Sequence, residues 1–273
     1  MIVDCHTHWN TSYTAAGCHD PTAWLEVLDR HGVMHAVVLP MEGLADDRLI
    51  RQENDDVAAA CSASSGRMIS FCTVNPHWGK QADEELIRCL EVSKHRGLKI
   101  HPWLQGVSPN GRDMDRLCEI AAEHDIPVLF HDGTPCSSLP SQIALLARRH
   151  PRAKIILGHC GLYEHWREAI AAMDYAENLW GCLCGPHLAA LRELLRRCDP
   201  ERLLWGSDFG YGQADPVGYR LGLLDLAGAG ERDRYRILVD NPRRVLGLPP
   251  VVATERKPWI LRRPSPAVSH PSS

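Results

Sequence analysis

The chain has 273 residues, of which 44% are hydrophobic and 23% are charged. These fractions are typical of a soluble globular protein, and they supply enough apolar material for one large core. A net charge of −4 gives no reason to expect nucleic-acid binding. The sequence contains no run of about 18 apolar residues, the length that would predict a membrane span.

The eleven cysteines are scattered through apparent strands and helices and form no CxxC pair. The start of the sequence does not resemble a signal peptide, because a carboxylate stands at Asp4 and histidines follow at His6 and His8. We therefore expect a cytoplasmic protein whose cysteines are mostly reduced, small core residues.

Eight short apolar segments predict β-strands. Most are nearly continuous hydrophobic runs, which is typical of strands buried on both faces of a parallel sheet. In chain order they are Ile2–Cys5, Val33–Leu39, Met68–Val74, Gly97–Ile100, Pro127–Phe130, Lys154–Leu157, Asn178–Cys184 and Arg202–Trp205.

Amphipathic stretches between these strands predict helices, and the clearest are Thr22–Arg30, Arg112–His124, Gln142–Arg149 and Leu188–Arg197. The strands begin at intervals of roughly 24 to 35 residues, the size of one βα unit. Eight such units predict an α/β fold, a single-domain (β/α)8 TIM barrel over residues 1–248. A doubly wound open sheet is the alternative, but no GxGxxG motif follows the first strand.

The composition changes near the end of the chain. Asn241 and Pro242 suggest an N-cap and a first helical position, so a short helix over Arg243–Leu246 is expected to close the barrel. From Pro249 onward the sequence is rich in proline, arginine and serine, which predicts an extended tail over residues 249–273.

His6 and His8 form an HxH pair after the first strand. Among fifteen histidines, roughly one such pair is expected by chance, so the motif alone is weak. Its position strengthens it, because residues i and i+2 of an extended segment point to the same side. Two imidazoles at the mouth of one strand can bind one metal ion.

Further polar residues follow later strands. Lys99 and His101 stand at the fourth, His131 at the fifth, His159 at the sixth, and Asp208 just beyond the eighth. The carboxyl ends of barrel strands converge on one face, where active sites of this fold are built. The ordered set therefore predicts a metal site at that face.

The order of these residues resembles the amidohydrolase superfamily, in the branch of aminocarboxymuconate semialdehyde decarboxylase, related decarboxylases and several lactonases. The resemblance extends from residue 1 to about residue 248. It is carried by the phrases Val3–His8, Gly97–Pro102, Leu157–Gly161, Trp205–Asp208 and Asn241–Leu248.

This resemblance implies that His6, His8 and His131 bind a divalent metal, most often zinc. Asp208 would bind or face the metal and act as general base toward its water, and His159 would orient that water or stabilise developing charge. A bound Zn²⁺ lowers the pKa of its water from about 15.7 to about 7, which makes hydroxide available at neutral pH.

Lys99 leaves the number of metal ions open. In binuclear members of the superfamily a lysine at the fourth strand is carboxylated and bridges two ions, and this chain offers the full set of His6, His8, Lys99, His131, His159 and Asp208. We favour one ion, with an unmodified Lys99 that pairs with Asp208 or with a substrate carboxylate.

Residues in the loops after the strands are expected to line the pocket. His101, Trp103 and Arg112 are the candidates for substrate binding. Aromatic residues are common in such sites, and the alternative is that some of those in these loops simply cap the barrel. They are Trp9, Tyr13, Trp78, Trp103, Tyr163, Phe209 and Tyr211.

The function predicted from the sequence is hydrolysis of a small lactone, ester or amide by metal-activated water. The first alternative is metal-dependent, non-oxidative decarboxylation of an aromatic or unsaturated acid, and the second is a non-catalytic metal-binding barrel that acts as a binding module. All three readings expect a small-molecule ligand rather than nucleic acid or membrane, and a homodimer stays open.

Overall fold

A computed structural model describes residues 1–9, 20–210 and 216–251 of the chain. Its parallel strands alternate with helices, as the sequence predicts. All eight predicted strands are present, and they differ from the prediction mainly at their ends. They are β1 (Ile2–His8), β2 (Val33–Leu39), β3 (Met68–Ser70), β4 (Leu98–Ile100), β5 (Pro127–Phe130), β6 (Lys154–Leu157), β7 (Leu179–Cys182) and β8 (Leu203–Leu204).

The strands form two parallel ladders, one from β1 to β3 and one from β4 to β8. Backbone hydrogen bonds join the ladders at both seams. Lys99 N donates to Cys72 O at 2.8 Å, and His8 N donates to Phe209 O at 2.7 Å. Single parallel bridges stand at the same two seams. The eight strands therefore close into a ring, and the predicted (β/α)8 barrel is confirmed.

Alternate strand residues divide between two cores, as the two-residue period of a strand requires. One cluster fills the inside of the ring, with Val3, Val37, Ile69, Leu129 and Ile156 among its members. The other lies between the ring and the helices and includes the neighbours of those residues along each strand. The inside of the ring is thus a packed core that supports the site at its carboxyl end.

Twelve helices accompany the strands in the described part of the chain. The four predicted helices are confirmed to within two residues at each end. The twelve are α1 (Pro21–Arg30), α2 (Glu42–Ala45), α3 (Ile50–Ala63), α4 (Lys80–Glu91), α5 (Pro102–Gln105), α6 (Asp113–Glu123), α7 (Pro140–Arg149), α8 (Trp166–Tyr175), α9 (Leu188–Arg197), α10 (Pro216–Leu226), α11 (Glu231–Tyr235) and α12 (Asn241–Val245).

The prediction that Asn241 is an N-cap is wrong. A π-helical segment, Arg236–Asp240, links α11 to α12 without a break. Pro242 has no N–H to donate to the preceding turn, and a wider π turn accommodates that loss. The Asn241 side chain is buried and donates to Pro200 O at 2.7 Å and to Leu203 O at 2.8 Å, so it ties the helix to the start of β8.

Nine of the ten described cysteines are buried and all ten are free, as expected, while Cys136 is exposed. None of the helices within the described ranges is long and apolar enough to cross a membrane. Of the residues named from the sequence, Tyr13, Tyr211 and nearly all of the predicted tail lie outside the described residues.

Candidate metal centre

The site is built where β1 and β8 meet at the carboxyl end of the barrel. Between Asp4 and Thr7, two residues of β1 face a single residue of β2, and such a bulge redirects the side chains that follow it. Asp208 lies four residues after β8. Its N–H donates to His6 O at 2.8 Å, which fixes the loop after β8 against the end of β1.

The loop after β8 has little conformational freedom. Asp208 has a φ of 62°, in the left-handed region that few residues other than glycine adopt. Gly210 has a φ of 94° and lies so close to β1 that a Cβ there would overlap the His8 carbonyl. The backbone thus holds the Asp208 carboxylate toward the two histidines of β1.

Three donor atoms converge at this point. Oδ1 of Asp208 lies 3.5 Å from Nε2 of His6 and 3.3 Å from Nε2 of His8. His6 is fully buried, and its Nε2 has no hydrogen-bond partner among the described residues. Ligand atoms about 2.0–2.1 Å from a tetrahedral ion lie about 3.3 Å apart. The donor set therefore fits one divalent cation.

The charge states also fit a cation. Burial lowers the pKa of His6 well below its usual range, and the charge of Lys99 lowers it further, so the imidazole is neutral with a free lone pair. Burial alone would raise the pKa of Asp208. The hydrogen bond with His8 and the nearby imidazoles outweigh that effect and hold this pKa well below its usual range. The Asp208 side chain keeps 32% exposure, so a ligand can reach it.

His131 and His159 form a second row of imidazoles beside this group. Nε2 of His159 lies 3.0 Å from Nδ1 of His131, and Nε2 of His131 lies 3.1 Å from Oγ1 of Thr134. His131 also stacks on His101, with ring centroids 3.8 Å apart. The compact donor group contains His6, His8 and Asp208, and the role of His131 as a further ligand stays a prediction.

Lys99 is a buried cation at the same end of the barrel. Its side chain is 1% exposed, and within the described ranges its ammonium forms neither a hydrogen bond nor an ion pair. Burial lowers the pKa of Lys99 to about 8, although the charges of Asp208 and Asp132 act in the opposite direction. The group that compensates this charge is therefore not supplied by a contact within the described protein.

The three residues expected to bind substrate differ in their surroundings. His101 is buried, and its Nδ1 accepts a hydrogen bond from Leu104 N at the start of α5. Trp103 is 60% exposed, with its ring 6.3 Å from the His101 ring. The Arg112 side chain is 92% exposed and pairs with Asp115 at 3.5 Å. Within the described residues, this contact does not connect Arg112 to the donor group.

Two of the aromatic residues near the mouth cap the barrel. Trp9 and Phe209 are buried and pack against Trp24 of α1, at centroid distances of 6.3 Å and 5.4 Å. Tyr163 is 56% exposed and lies 6.0 Å from the His187 ring. Tyr163 and Trp103 are thus exposed to a ligand approaching the mouth, whereas Trp78 is half-buried and donates from its Nε1 to Asp47 Oδ2 at 3.3 Å.

Two buried carboxylates that the sequence analysis did not single out hold the strand ends together. Asp4 accepts hydrogen bonds from His6 N at 3.1 Å and Ser207 N at 3.0 Å. Asp132 accepts from His159 N and Gly161 N, both at 2.6 Å. The alternation of Asp4 with His6 and His8, and the position of Asp132 directly after a candidate ligand, are the signals that could have identified them.

The sequence analysis also did not identify Cys184 as a site residue. It follows β7, and its Sγ lies 3.1 Å from Nδ1 of His159, 3.5 Å from Nδ1 of His6 and 2.9 Å from the Gly158 carbonyl oxygen. Its sequence neighbourhood is apolar and gives no indication of these contacts. The thiol therefore touches two of the candidate site histidines on the side away from Asp208.

Comparison with known proteins agrees with this architecture. The family model described as amidohydrolase matches residues 3–248. A solved structure of 2,6-dihydroxybenzoate decarboxylase from Rhizobium superimposes with a TM-score of 0.73 at 18% identity, over 90% of this chain and 98% of that chain.

Two further decarboxylase structures have the same fold. One is 5-carboxyvanillate decarboxylase from Sphingomonas paucimobilis, with a TM-score of 0.70 at 16% identity over 91% of this chain and 99% of that one. The other is a dihydroxybenzoic acid decarboxylase from Polaromonas with bound manganese. Its TM-score is 0.67 at 15% identity, over 90% and 96% of the two chains. At such identities the likeness establishes the fold.

Proposed function

The chain belongs to the amidohydrolase family, whose members are enzymes, and on this premise we propose that it removes CO₂ from a small aromatic or unsaturated carboxylic acid in a metal-dependent, non-oxidative reaction. This is the alternative, not the leading prediction, of the sequence analysis. The observation that carries it is the buried Lys99 ammonium beside the donor group, which contacts no carboxylate among the described residues.

Burial of this ammonium is costly, because it removes hydration while Asp208 and Asp132 act on the charge only from a distance, without a contact among the described residues. A substrate carboxylate entering at the carboxyl end of the barrel supplies the missing negative charge. Lys99 would then hold the acid group of the substrate while His6, His8 and Asp208 hold the metal. An acid substrate meets this requirement, and a neutral ester or amide does not.

One divalent ion per chain, with zinc as our choice, would supply Lewis-acid stabilisation of the substrate oxygens. In decarboxylation the carbon–carbon bond breaks, its electron pair stays on the substrate carbon, and a proton replaces CO₂. We assign this proton to Asp208, which takes it from a substrate hydroxyl or water and returns it to the carbon. His159, buried against His6 and His131, orients the groups that exchange the proton.

The similar structures are compatible with this proposal. Three of them are named as decarboxylases of aromatic acids, and one of these holds manganese. The acids that name these proteins carry a carboxylate, the group that we propose as the partner of Lys99. Their identities of 15–18% leave the substrate of this chain to experiment.

Hydrolysis of a lactone, ester or amide is the second candidate. The observation that favours it is the partly accessible Asp208 carboxylate next to the donor group, because a general base in that position can activate a water molecule. A substrate with both a lactone ring and a carboxylate would also satisfy Lys99.

A direct assay separates the two reactions. The purified chain, loaded with Zn²⁺ or with Mn²⁺, is incubated with hydroxybenzoates and unsaturated dicarboxylates, and in parallel with lactones, esters and amides. We expect CO₂ release from at least one acid, and none from Asp208→Asn under the same conditions. Ring opening or ester cleavage without CO₂ release from any acid would replace the decarboxylase proposal by the hydrolase one.

A further inference from the structure

Cys184 occupies a site where its single proton constrains the imidazoles around it. Its side chain is 1% exposed, and three polar atoms of the described residues lie within 3.5 Å of its sulfur: Nδ1 of His159, Nδ1 of His6 and the Gly158 carbonyl oxygen. The Cys182 thiol is a further neighbour of this sulfur. The close approach depends on the next residue. A Cβ on Gly185 would lie 2.5 Å from His159 O, so a larger residue there would push the thiol away.

The carbonyl of Gly158 decides where the protons lie. A carbonyl oxygen only accepts, and it lies 2.9 Å from the thiol sulfur and 3.1 Å from Nδ1 of His6. The thiol hydrogen therefore points to Gly158 O, and the His6 Nδ1–H donates to the same oxygen, which has two lone pairs. This leaves Nε2 of His6 without a proton, facing Asp208.

The sulfur of Cys184 is then available as an acceptor for His159. With the thiol hydrogen on Gly158, Nδ1–H of His159 donates to Sγ, at 3.1 Å. A neutral imidazole carries one N–H, so Nε2 of His159 has none and accepts from Nδ1–H of His131, at 3.0 Å. His131 in turn keeps a lone pair on Nε2, which accepts from the Thr134 hydroxyl at 3.1 Å.

The opposite arrangement has a different consequence. If the thiol donated to Nδ1 of His159, then Nε2–H of His159 would donate to His131. Nε2 of His131 would then carry the proton and donate to Thr134. In that tautomer His131 cannot offer Nε2 to a metal ion, because the lone pair is used by the proton. The direction of one S–H bond thus determines whether His131 can be a ligand.

We infer that Cys184 is a positioning residue that fixes the tautomers of His159 and His131 and so keeps Nε2 of His131 available to the divalent ion. This inference rests on the proposed metal site and not on the identity of the substrate. Groups that orient a metal-binding imidazole through its other nitrogen commonly change metal affinity by roughly 10–100-fold when they are removed.

His6, His159 and Cys184 can also be considered as a metal-binding group of their own, since their donor atoms lie within 4.8 Å of one another. The lone pairs of His6 exclude this group as a second metal site beside the one at Asp208. His6 would then have to give Nδ1 to one ion and Nε2 to the ion at Asp208, and a neutral imidazole has a single free lone pair. The hydrogen-bond scheme uses the same contacts without that conflict.

The test uses substitutions of Cys184 and measures metal affinity without any substrate. Cys184→Ser keeps one donor and one acceptor, whereas Cys184→Ala removes both, and Cys118→Ala removes an equally buried thiol from α6. By chelator competition for Zn²⁺, we expect Cys184→Ala to raise Kd roughly 10–100-fold, and Cys184→Ser and Cys118→Ala to stay within about threefold of the parent chain. Unchanged affinity in Cys184→Ala would overturn the inference.

Two spectra test the scheme separately from the metal affinities of the variants. In the metal-free parent chain, imidazole ¹⁵N shifts should show His159 protonated at Nδ1 and His131 protonated at Nδ1, and the opposite tautomers would contradict the scheme. In the Co²⁺-loaded parent chain, an intense thiolate-to-cobalt absorption band that is lost in Cys184→Ser would show that Cys184 is itself a ligand. If no acid is decarboxylated but these spectra agree, the substrate proposal fails and this inference stands.

Discussion

Asp208 is the residue whose single substitution tests the donor group most directly. Its backbone is in the left-handed region, which asparagine tolerates better than alanine does. Asp208→Asn therefore removes the charge without adding backbone strain. We expect a loss of Zn²⁺ affinity larger than the roughly 10–100-fold caused by losing a hydrogen-bond partner of a ligand, together with loss of turnover.

The matched control for this change is Asp125→Asn. Asp125 also has a positive φ, of 54°, but it lies in the turn before β5, where it pairs with Lys154. Zn²⁺ affinity, measured by chelator competition, should be unaffected in this control. Equal affinity of the Asp208→Asn variant and the parent chain would remove Asp208 from the metal site.

Lys99 is the residue that distinguishes an acid substrate from a neutral one. Lys99→Met keeps most of the buried volume and removes the charge, whereas Lys99→Arg keeps the charge. For the acid that releases CO₂, we expect KM to rise at least tenfold in Lys99→Met, about the effect of one lost charge-assisted hydrogen bond of 1.4 kcal/mol or more. Steady-state kinetics with both variants measure this effect, and an unchanged KM in Lys99→Met would contradict the proposed role.

The same residue tests the number of ions. We expect one metal equivalent by elemental analysis and an unmodified Lys99 ammonium in a crystal structure. Two equivalents, together with density for a carboxyl group of about 44 Da on Nζ, would support the binuclear alternative and withdraw the role of Lys99 as a partner for the substrate.

At the residue scale, the site residues that could be predicted from the sequence are those whose position along a strand places them at its carboxyl end. His6, His8 and Asp208 could be predicted because they stand at strand ends, and strand ends converge in a barrel. Asp4 and Asp132 carried only a weak signal, their position next to candidate ligands, because their role is to accept hydrogen bonds from backbone N–H groups at strand ends. Cys184 carried none, because its partners are two imidazoles and a carbonyl oxygen from distant segments. A pattern along one chain does not show which polar groups of distant segments a carboxylate or thiol contacts.

At the scale of elements, the contact between β1 and the loop after β8 holds the donor group together. Gly210 allows this contact, since a Cβ there would overlap the His8 carbonyl. We expect Gly210→Ala to displace the end of β1 and to lower both Zn²⁺ affinity and the thermal midpoint. An over-packed contact of this kind typically costs roughly 1–3 kcal/mol, in addition to the strain of a positive φ.

Gly228→Ala separates the two contributions. Gly228 also has a positive φ, of 86°, but no atom of the described residues lies within 4 Å of a Cβ placed there. Calorimetry on both variants should show a smaller loss of stability in Gly228→Ala, with unchanged Zn²⁺ affinity. Equal losses in the two variants would mean that backbone strain, and not the contact with His8, explains the effect.

The elements themselves were largely predictable because each carries its own local pattern. Apolar runs located all eight strands, and helical periodicity located α1, α6, α7 and α9. The start of α12 was predicted wrongly because Asn241 and Pro242 have the local pattern of a helix start. Tertiary hydrogen bonds from the Asn241 side chain to Pro200 O and Leu203 O, and the π segment before it, override that pattern.

For the whole molecule, the metal-binding group can form only when the ring of strands is closed. The donor group joins residues of β1 to a residue just after β8, so it forms only when the first and last strands meet. Unfolding should therefore release the ion, and a bound ion should raise stability by mass action. Stability measurements on this chain need a fixed metal concentration for that reason.

Buried neutral histidines make the stability of the whole barrel depend on pH. His95 is the clearest case away from the metal site, because it is 3% exposed and its Nε2 lies 3.1 Å from the carbonyl oxygen of Asn54. Burial lowers the pKa of His95 to about 4 from its usual 6.5. Between these two values the unfolded chain binds the proton and the folded chain does not, so stability falls as the pH is lowered from about 6.5 to about 4 and the loss is complete below that.

This residue alone should account for roughly 3–3.5 kcal/mol of that loss, because its pKa falls from 6.5 to about 4 and one pKa unit corresponds to about 1.4 kcal/mol. His95→Gln keeps an N–H donor for Asn54 O but does not titrate, so its free energy of unfolding should fall less steeply over this range. His124→Gln, at an exposed position, is the control and should follow the parent chain. Urea titrations at several pH values and one fixed metal concentration give the comparison. If His95→Gln and the parent chain show the same slope, His95 is protonated in the folded barrel, and its burial costs less than the geometry implies.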